Sequence, residues 1–120
     1  DAVRPFVSVE TICRCFEVAK THGSAIPAVP LKDTVRQMEG NTSHALNRSS
    51  LRAIQTPQCF DLKTLQAAYS SGFQAEFTDD SSVYENAGHS IKLIEGDLEN
   101  IKITTPEDLL VAQAFLEGNP

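Results

Sequence analysis

Asn100-Ile101-Lys102-Ile103-Thr104-Thr105-Pro106-Glu107-Asp108 is the stretch whose reading decides the fold. Ile101 and Ile103 alternate with polar residues, which predicts a short strand with one buried face. Thr105 then reads as a helix N-cap, Pro106 as the first helical residue, and Glu107 and Asp108 as acids of the first turn. Asp108 follows Thr105 by three residues, a variant of the capping box. A strand therefore feeds a helix through a tight turn. Lys102 leaves that strand on the face opposite the isoleucines, where a rigidly held cation can meet an anionic substrate. Most lysines are plain solvated charges, so Lys102 needs partners before it signifies chemistry.

Outward from that junction the pattern repeats. After it, Leu109, Ala112, Phe115 and Leu116 form the packed face of a helix that Gly118 ends. Before it, residues 91–94 are a strand, and Glu95-Gly96-Asp97 turns out of it. Thr78-Asp79-Asp80 opens a helix rich in acids, carrying Val83 and Ala87 and closing at Gly88. Asp61 caps another helix, with Leu62, Leu65, Ala68 and Tyr69 inward and Ser70-Ser71-Gly72 at its end. Residues 51–55 are a strand that runs into Thr56-Pro57-Gln58. Near the start, Ser8 caps a helix from Val9 to about Thr21, with Ile12, Cys15, Phe16 and Ala19 on one face and Gly23 as its stop. Residues 25–29 are apolar and strand-like, and Pro27 places that strand at an edge or a bulge. Alternating helix and strand is the signature of an α/β layer fold, here one unit over residues 1–120.

Residues 31–47 differ in character. Thr34, Val35 and Gln37 precede a Glu39-Gly40-Asn41 turn, and Ser43, His44, Ala45 and Leu46 follow it, which predicts a hairpin of weak apolar alternation. Such a hairpin gains little stability alone in water. It either rests on a support, a second subunit being one, or it is a flexible loop.

Composition sets the classes. The chain has 120 residues, 41% hydrophobic and 22% charged, as a globular domain should. Its net charge of -6 argues against a nucleic-acid surface. No apolar run approaches membrane-spanning length. The chain opens on Asp1, without a secretory leader or an initiator Met, and reads as a fragment or a processed product. Three cysteines give no disulfide framework, and a reducing, cytoplasmic setting follows. His22, His44 and His89 are scattered and show no metal-ligand spacing.

There is no P-loop, no Gly-rich dinucleotide fingerprint, no Gly-x-Ser-x-Gly elbow and no His paired with Cys59. What remains is a set of polar residues at strand ends: Asp1, Arg4, Arg48, Thr56, Thr78 and Lys102. In open α/β sheets that rim binds ligands. Arg and Lys clamp phosphate, hydroxyls add hydrogen bonds, and a carboxylate such as Asp1 can hold Mg²⁺ that bridges phosphates. Singly, each residue is equally a surface ion pair, a cap or a turn.

The motifs Asp-Ala-Val-Arg-Pro at 1–5, Asn47-Arg48-Ser49, Gln55-Thr56-Pro57-Gln58, Phe77-Thr78-Asp79-Asp80-Ser81 and Leu93-Ile94-Glu95-Gly96, with the opening stretch, occur in order. Together they resemble the C-terminal half of the 2-C-methyl-D-erythritol 4-phosphate cytidylyltransferase family of non-mevalonate isoprenoid synthesis. The resemblance covers essentially the whole chain. It implies a Rossmann-like, three-layer nucleotidyltransferase fold with a protruding β-arm at about residues 31–47, which clasps a second subunit of a homodimer. It implies Asp1 as the Mg²⁺ ligand and Arg4 as its neighbour in the site. It implies Arg48 and Lys102 as the pair that holds methylerythritol phosphate for attack on CTP, Arg48 serving the partner's site. Thr56 and Thr78 would contact the same substrate.

The family's Gly-rich loop for the CTP phosphates belongs to its other half, so the resemblance implies that the isolated chain is inactive. Ribitol-5-phosphate cytidylyltransferases share the Asp-x-Val-Arg-Pro, Thr-Pro-Gln and Asn-Ile-Lys motifs, but Thr78-Asp79-Asp80-Ser81 looks more like the methylerythritol branch. A non-catalytic dimerisation module is the third reading.

Overall fold

The computed structural model describes residues 1–72 and 74–118. Its centre is β1, Ser24–Pro30, whose first five residues are buried. On one side β1 pairs in parallel with β6, Leu93–Glu95, through Ile26↔Leu93 and Ala28↔Glu95. On the other it pairs antiparallel with β4, Arg52–Ile54, and with β5, Cys59–Phe60. The sheet is therefore mixed. The two-residue β5 carries no periodic signal, and the sequence pattern did not announce it.

Pro27 does not sit at an edge; β1 has partners on both sides. The register explains how an interior strand tolerates it. From Ala28↔Ile54 to Ala25↔Cys59, three steps along β1 face five along its partner. Residues 55–58 thus bulge opposite Pro27, where its missing N–H forfeits no ladder bond. Its carbonyl still accepts from Gln55 N at 2.8 Å. The bulge holds the cis peptide bond Thr56–Pro57.

Helix α1, Val9–His22, packs on β1 and β5. Ser8 caps it by accepting from Thr11 N, and Gly23, at φ 87°, ends it. The buried stripe runs through Thr11 and Cys15 rather than through Phe16, which is 59% exposed. Thr11 is buried at no polar cost, because its hydroxyl accepts from Ser8 Oγ at 2.9 Å. Helix α2, Leu62–Tyr69, carries the expected Asp61 cap and packs on α3, Asp80–Asn86. Ala68, Val83 and Tyr84 are buried there, whereas Leu62 and Tyr69 face outward, contrary to the pattern reading. Ala87 is the exposed cap of α3 and not part of its inner face.

Helix α4, Pro106–Gly118, starts where expected. Asp108 N donates to Thr105 Oγ1 at 3.3 Å, and Thr105 N donates back to the Asp108 carboxylate at 2.9 Å, closing the capping box. Ala112 is buried and Phe115 meets Phe6 edge-on at 5.6 Å, but Leu109 and Leu116 are exposed. The stretch before the helix, residues 101–104, joins no strand ladder. Ile101 N turns back to Glu99 O at 2.8 Å, which spends its donor locally. Ile103 N reaches Val3 O at 2.7 Å and ties the segment to the chain start. The alternation correctly gave the faces: Ile101 and Ile103 are half-buried, Lys102 and Thr104 exposed.

The hairpin forms as β2, Arg36–Glu39, and β3, Thr42–Ala45, joined by Gly40-Asn41 with Gly40 at φ 61°. Every residue of both strands is exposed. The radius of gyration is 16.5 Å, against about 14 Å for a compact chain of this length, as a projecting arm requires.

Candidate functional site

The chain start, the 55–58 bulge and the segment before α4 meet. Arg4 N closes a turn on Asp1 O at 3.1 Å, and Val3 N donates to Asp1 Oδ1 at 3.2 Å. Asp1 is thereby aimed at Thr56, whose hydroxyl donates to Asp1 Oδ2 at 3.0 Å. Arg4 reaches the other way. Its Nη1 donates to Asn100 O at 2.6 Å and its Nη2 to Ile54 O at 3.4 Å. Burial lowers the Arg4 pKa, but an arginine keeps its charge at neutral pH. Only carbonyls hold that cation; among the described residues no carboxylate pairs with it. Such a group retains attraction for an anionic ligand.

Asn100 is fully buried and joins the three segments. Its Nδ2 donates to Thr56 O at 2.8 Å and lies 3.4 Å from Gln55 Oε1. Gln55 Nε2 donates to Asp97 O at 2.7 Å, and Asp97 N returns a bond to Gln55 Oε1 at 3.2 Å. Lys102 follows two residues later, exposed and without a hydrogen bond or ion pair among the described residues.

Thr78 stands before α3, exposed, with its hydroxyl 3.0 Å from Ser82 Oγ. It lines a cavity of about 290 Å³ with Tyr69, Asp79, Asp80 and Val83. Burial would raise the Asp79 pKa, yet bonds from Ser81, Ser82 and the Gln58 side chain outweigh it and hold the carboxyl below its ordinary range. Tyr69 bonds its hydroxyl to Asp80, which raises the phenol's pKa.

Arg48 stands apart. It lies in a short 3-10 turn, Arg48–Ser50, at the foot of the arm and donates to Lys32 O. No described contact within the chain brings it to Asp1, Arg4 or Thr56. So Asp1, Arg4 and Thr56 share one site with the Lys102 segment, Thr78 lines a separate hollow at the start of α3, and Arg48 does not join the site within one copy.

Asp1 suits a hard cation that takes most of its ligands from phosphate and water. It offers one exposed carboxylate, and no group of three or more His, Cys, Asp or Glu gathers among the described residues. Mg²⁺ commonly binds in this way. Sequence reasoning quoted Gln55, Gly96 and Asn100 within its motifs but gave them no site role, because a pattern says nothing of burial or close approach.

Residues 1–118 match the family model described as 2-C-methyl-D-erythritol 4-phosphate cytidylyltransferase. A relative of that name from Bacteroides thetaiotaomicron is 45% identical over 116 residues, covering 97% of this chain and 53% of its own length. One from Bacillus licheniformis is 48% identical over 121 residues, covering 98% and 52%. In structure, the chain is similar to the cytidylyltransferase of Thermus thermophilus, with a TM-score of 0.84 at 34% identity over 98% of this chain and 59% of that one. The 4-diphosphocytidyl-2C-methyl-D-erythritol synthase of Anaerococcus prevotii aligns with a TM-score of 0.87 at 35% identity, over 98% and 56%. The chain spans about half the length of the curated relatives it matches.

Proposed function

Because the chain belongs to the 2-C-methyl-D-erythritol 4-phosphate cytidylyltransferase family, we propose that it forms the acceptor side of an enzyme that transfers CMP from CTP to 2-C-methyl-D-erythritol 4-phosphate and releases pyrophosphate, in isoprenoid precursor synthesis. The observation that carries the reading is Arg4, a half-buried cation held by carbonyls alone beside the Asp1–Thr56 pair. A polyol phosphate supplies the anion that this cation lacks and hydroxyls for the threonines.

An acceptor phosphate oxygen attacks the α-phosphate of CTP in line. Such transfers depend on positioning and on charge neutralisation more than on covalent help. Lys102, on its short tether from buried Asn100, holds the attacking phosphate, with Arg48 of a second copy opposite. Arg4 fixes the floor of the site, and Thr56 and Thr78 orient the acceptor's hydroxyls. Asp1 would hold Mg²⁺, which when bound neutralises charge on the phosphates. The arm clasps the second copy, making a homodimer. The setting is cytoplasmic, in keeping with three free thiols. Among the described residues no helix is long and apolar enough to cross a membrane.

The test is pyrophosphate release from CTP by the protein carrying the portion its longer relatives have, with methylerythritol phosphate and ribitol phosphate as rival acceptors. Turnover is expected with the first. Arg48→Ala and Lys102→Ala should each lower it roughly 100-fold, the scale for losing one charge-stabilising contact. Transfer to ribitol phosphate alone, no transfer to either, or near-normal rates in both variants would refute the reading.

A further inference from the structure

We infer that Gln55 and Asn100 are positioning residues for the acceptor site, an inference that rests on the function proposed above. Their side chains touch no substrate-facing surface: Gln55 is 5% exposed and Asn100 0%. Burying two carboxamides costs free energy unless each is hydrogen-bonded, and apolar side chains would fill the same space without that demand. What the polar pair adds is direction. Asn100 Nδ2 fixes the carbonyl of Thr56 at 2.8 Å, and by seating residue 100 it seats the backbone carbonyl that accepts from Arg4 at 2.6 Å. Gln55 grips Asp97 from both sides, at 2.7 and 3.2 Å, and so sets where the 97–102 segment leaves the sheet. Each of these bonds ends on a site residue or on backbone leading to one.

Gly96 gives an independent sign that this seat is specified. A Cβ there would stand 2.5 Å from Gln55 Oε1 and 3.1 Å from the backbone N and O of Ala28. The carboxamide can occupy its place only because residue 96 has no side chain.

Three variants test this in the protein of its relatives' full length. Asn100→Asp keeps the shape but turns the donor into an acceptor facing Thr56 O. Gln55→Glu removes the donor to Asp97. Gly96→Ala pushes Gln55 aside without altering a polar group, and it carries the test if either other variant fails to fold. The KM for methylerythritol phosphate should rise about tenfold, the scale of one misplaced buried hydrogen bond, with the KM for CTP within about twofold. A purely structural pair would lower Tm and leave both KM values and kcat unchanged; that result, or an equal rise in both KM values, overturns the inference. If the unmodified protein makes no product, the proposed function falls, and amide hydrogen exchange in the same variants decides the positioning. Exchange about tenfold faster at Asp97 and Ile103, with Ile26 unchanged, supports it; no change, or loosening that includes Ile26, overturns it.

Discussion

Thr56 Oγ1 donates to Asp1 Oδ2 across 3.0 Å, joining side chains 55 positions apart in the sequence. Both groups are accessible, so the bond aims the carboxylate more than it stabilises the fold. Thr56→Val keeps the volume and deletes the donor. In the proposed reaction it should lower kcat/KM about tenfold, the scale of one polar contact, and Thr56→Ser should restore most of the loss. Steady-state kinetics of the two variants check this. Equal rates for wild type and Thr56→Val would remove Thr56 from the site.

Asp79 gives a pH dependence of stated sign. Despite partial burial, its hydrogen bonds hold its folded pKa below the ordinary carboxylate value of 3.8. A depressed folded value means that the stabilisation is complete above the unfolded pKa and fades as pH falls through the folded one. Asp79 also caps α3 by accepting from Ser82 N at 2.9 Å. Asp79→Ala should therefore cost about 1 kcal/mol at pH 7, and the difference from wild type should shrink below about pH 4. Urea midpoints at pH 7 and pH 3 measure it. A difference that grows on acidification would contradict the assignment.

The local signals were legible where chemistry acts between near neighbours. Ser8 and Asp61 cap the helices they were expected to cap, the Thr78-Asp79-Asp80 start supplies its cap from Asp79, and Gly23, Gly72 and Gly88 hold positive φ. What the sequence did not disclose was set by pairing. Pro27 signalled an edge or a bulge, and the bulge is what forms; the sequence could not choose because the two-residue surplus opposite Pro27 lies in another segment. Residues 101–104 alternate like a strand, but their N–H groups go to Glu99 O, Val3 O and the Asp108 carboxylate rather than to a partner strand. The inward faces failed at Phe16, Leu62, Leu109 and Leu116, since apolar spacing marks a stripe but cannot say which part of it is covered. The candidate site residues came from motif order, while the burial of Gln55 and Asn100, quoted in those same motifs, is a tertiary property that no motif prints.

Cysteine reactivity should divide along burial. Desolvation first, then the neighbouring Cys59, pushes the Cys15 thiol up to about 11. At pH 7 that leaves about one part in ten thousand as thiolate, the form that attacks alkylating agents. Burial likewise raises Cys59, whereas Cys13 is exposed. Iodoacetamide at pH 7 should label Cys13 first and leave Cys15 unmodified until the chain is unfolded, as peptide mass mapping would report. Early labelling of Cys15 would mean that α1 does not stay seated on β1.

The arm yields the last test. Both its strands are exposed at every residue, and Met38, the one large apolar side chain of those strands, is 66% exposed. A lone two-stranded hairpin is marginal in water, so an arm of this kind needs a surface to lie on. The proposed clasp supplies one. Gly40 allows the turn to be weakened without a clash inside the chain, since a Cβ added there meets nothing within 4 Å and only its φ of 61° resists substitution. A β-branched residue at positive φ costs of order 1–2 kcal/mol. If the arm's conformation is linked to dimerisation, Gly40→Val should weaken the dimer about tenfold, and deletion of residues 36–45 should leave monomers. Sedimentation velocity across a concentration series separates the outcomes. A dimer that keeps its affinity in both variants would show that the arm is not the clasp, and Arg48 at its foot would then lose its route to a neighbouring site.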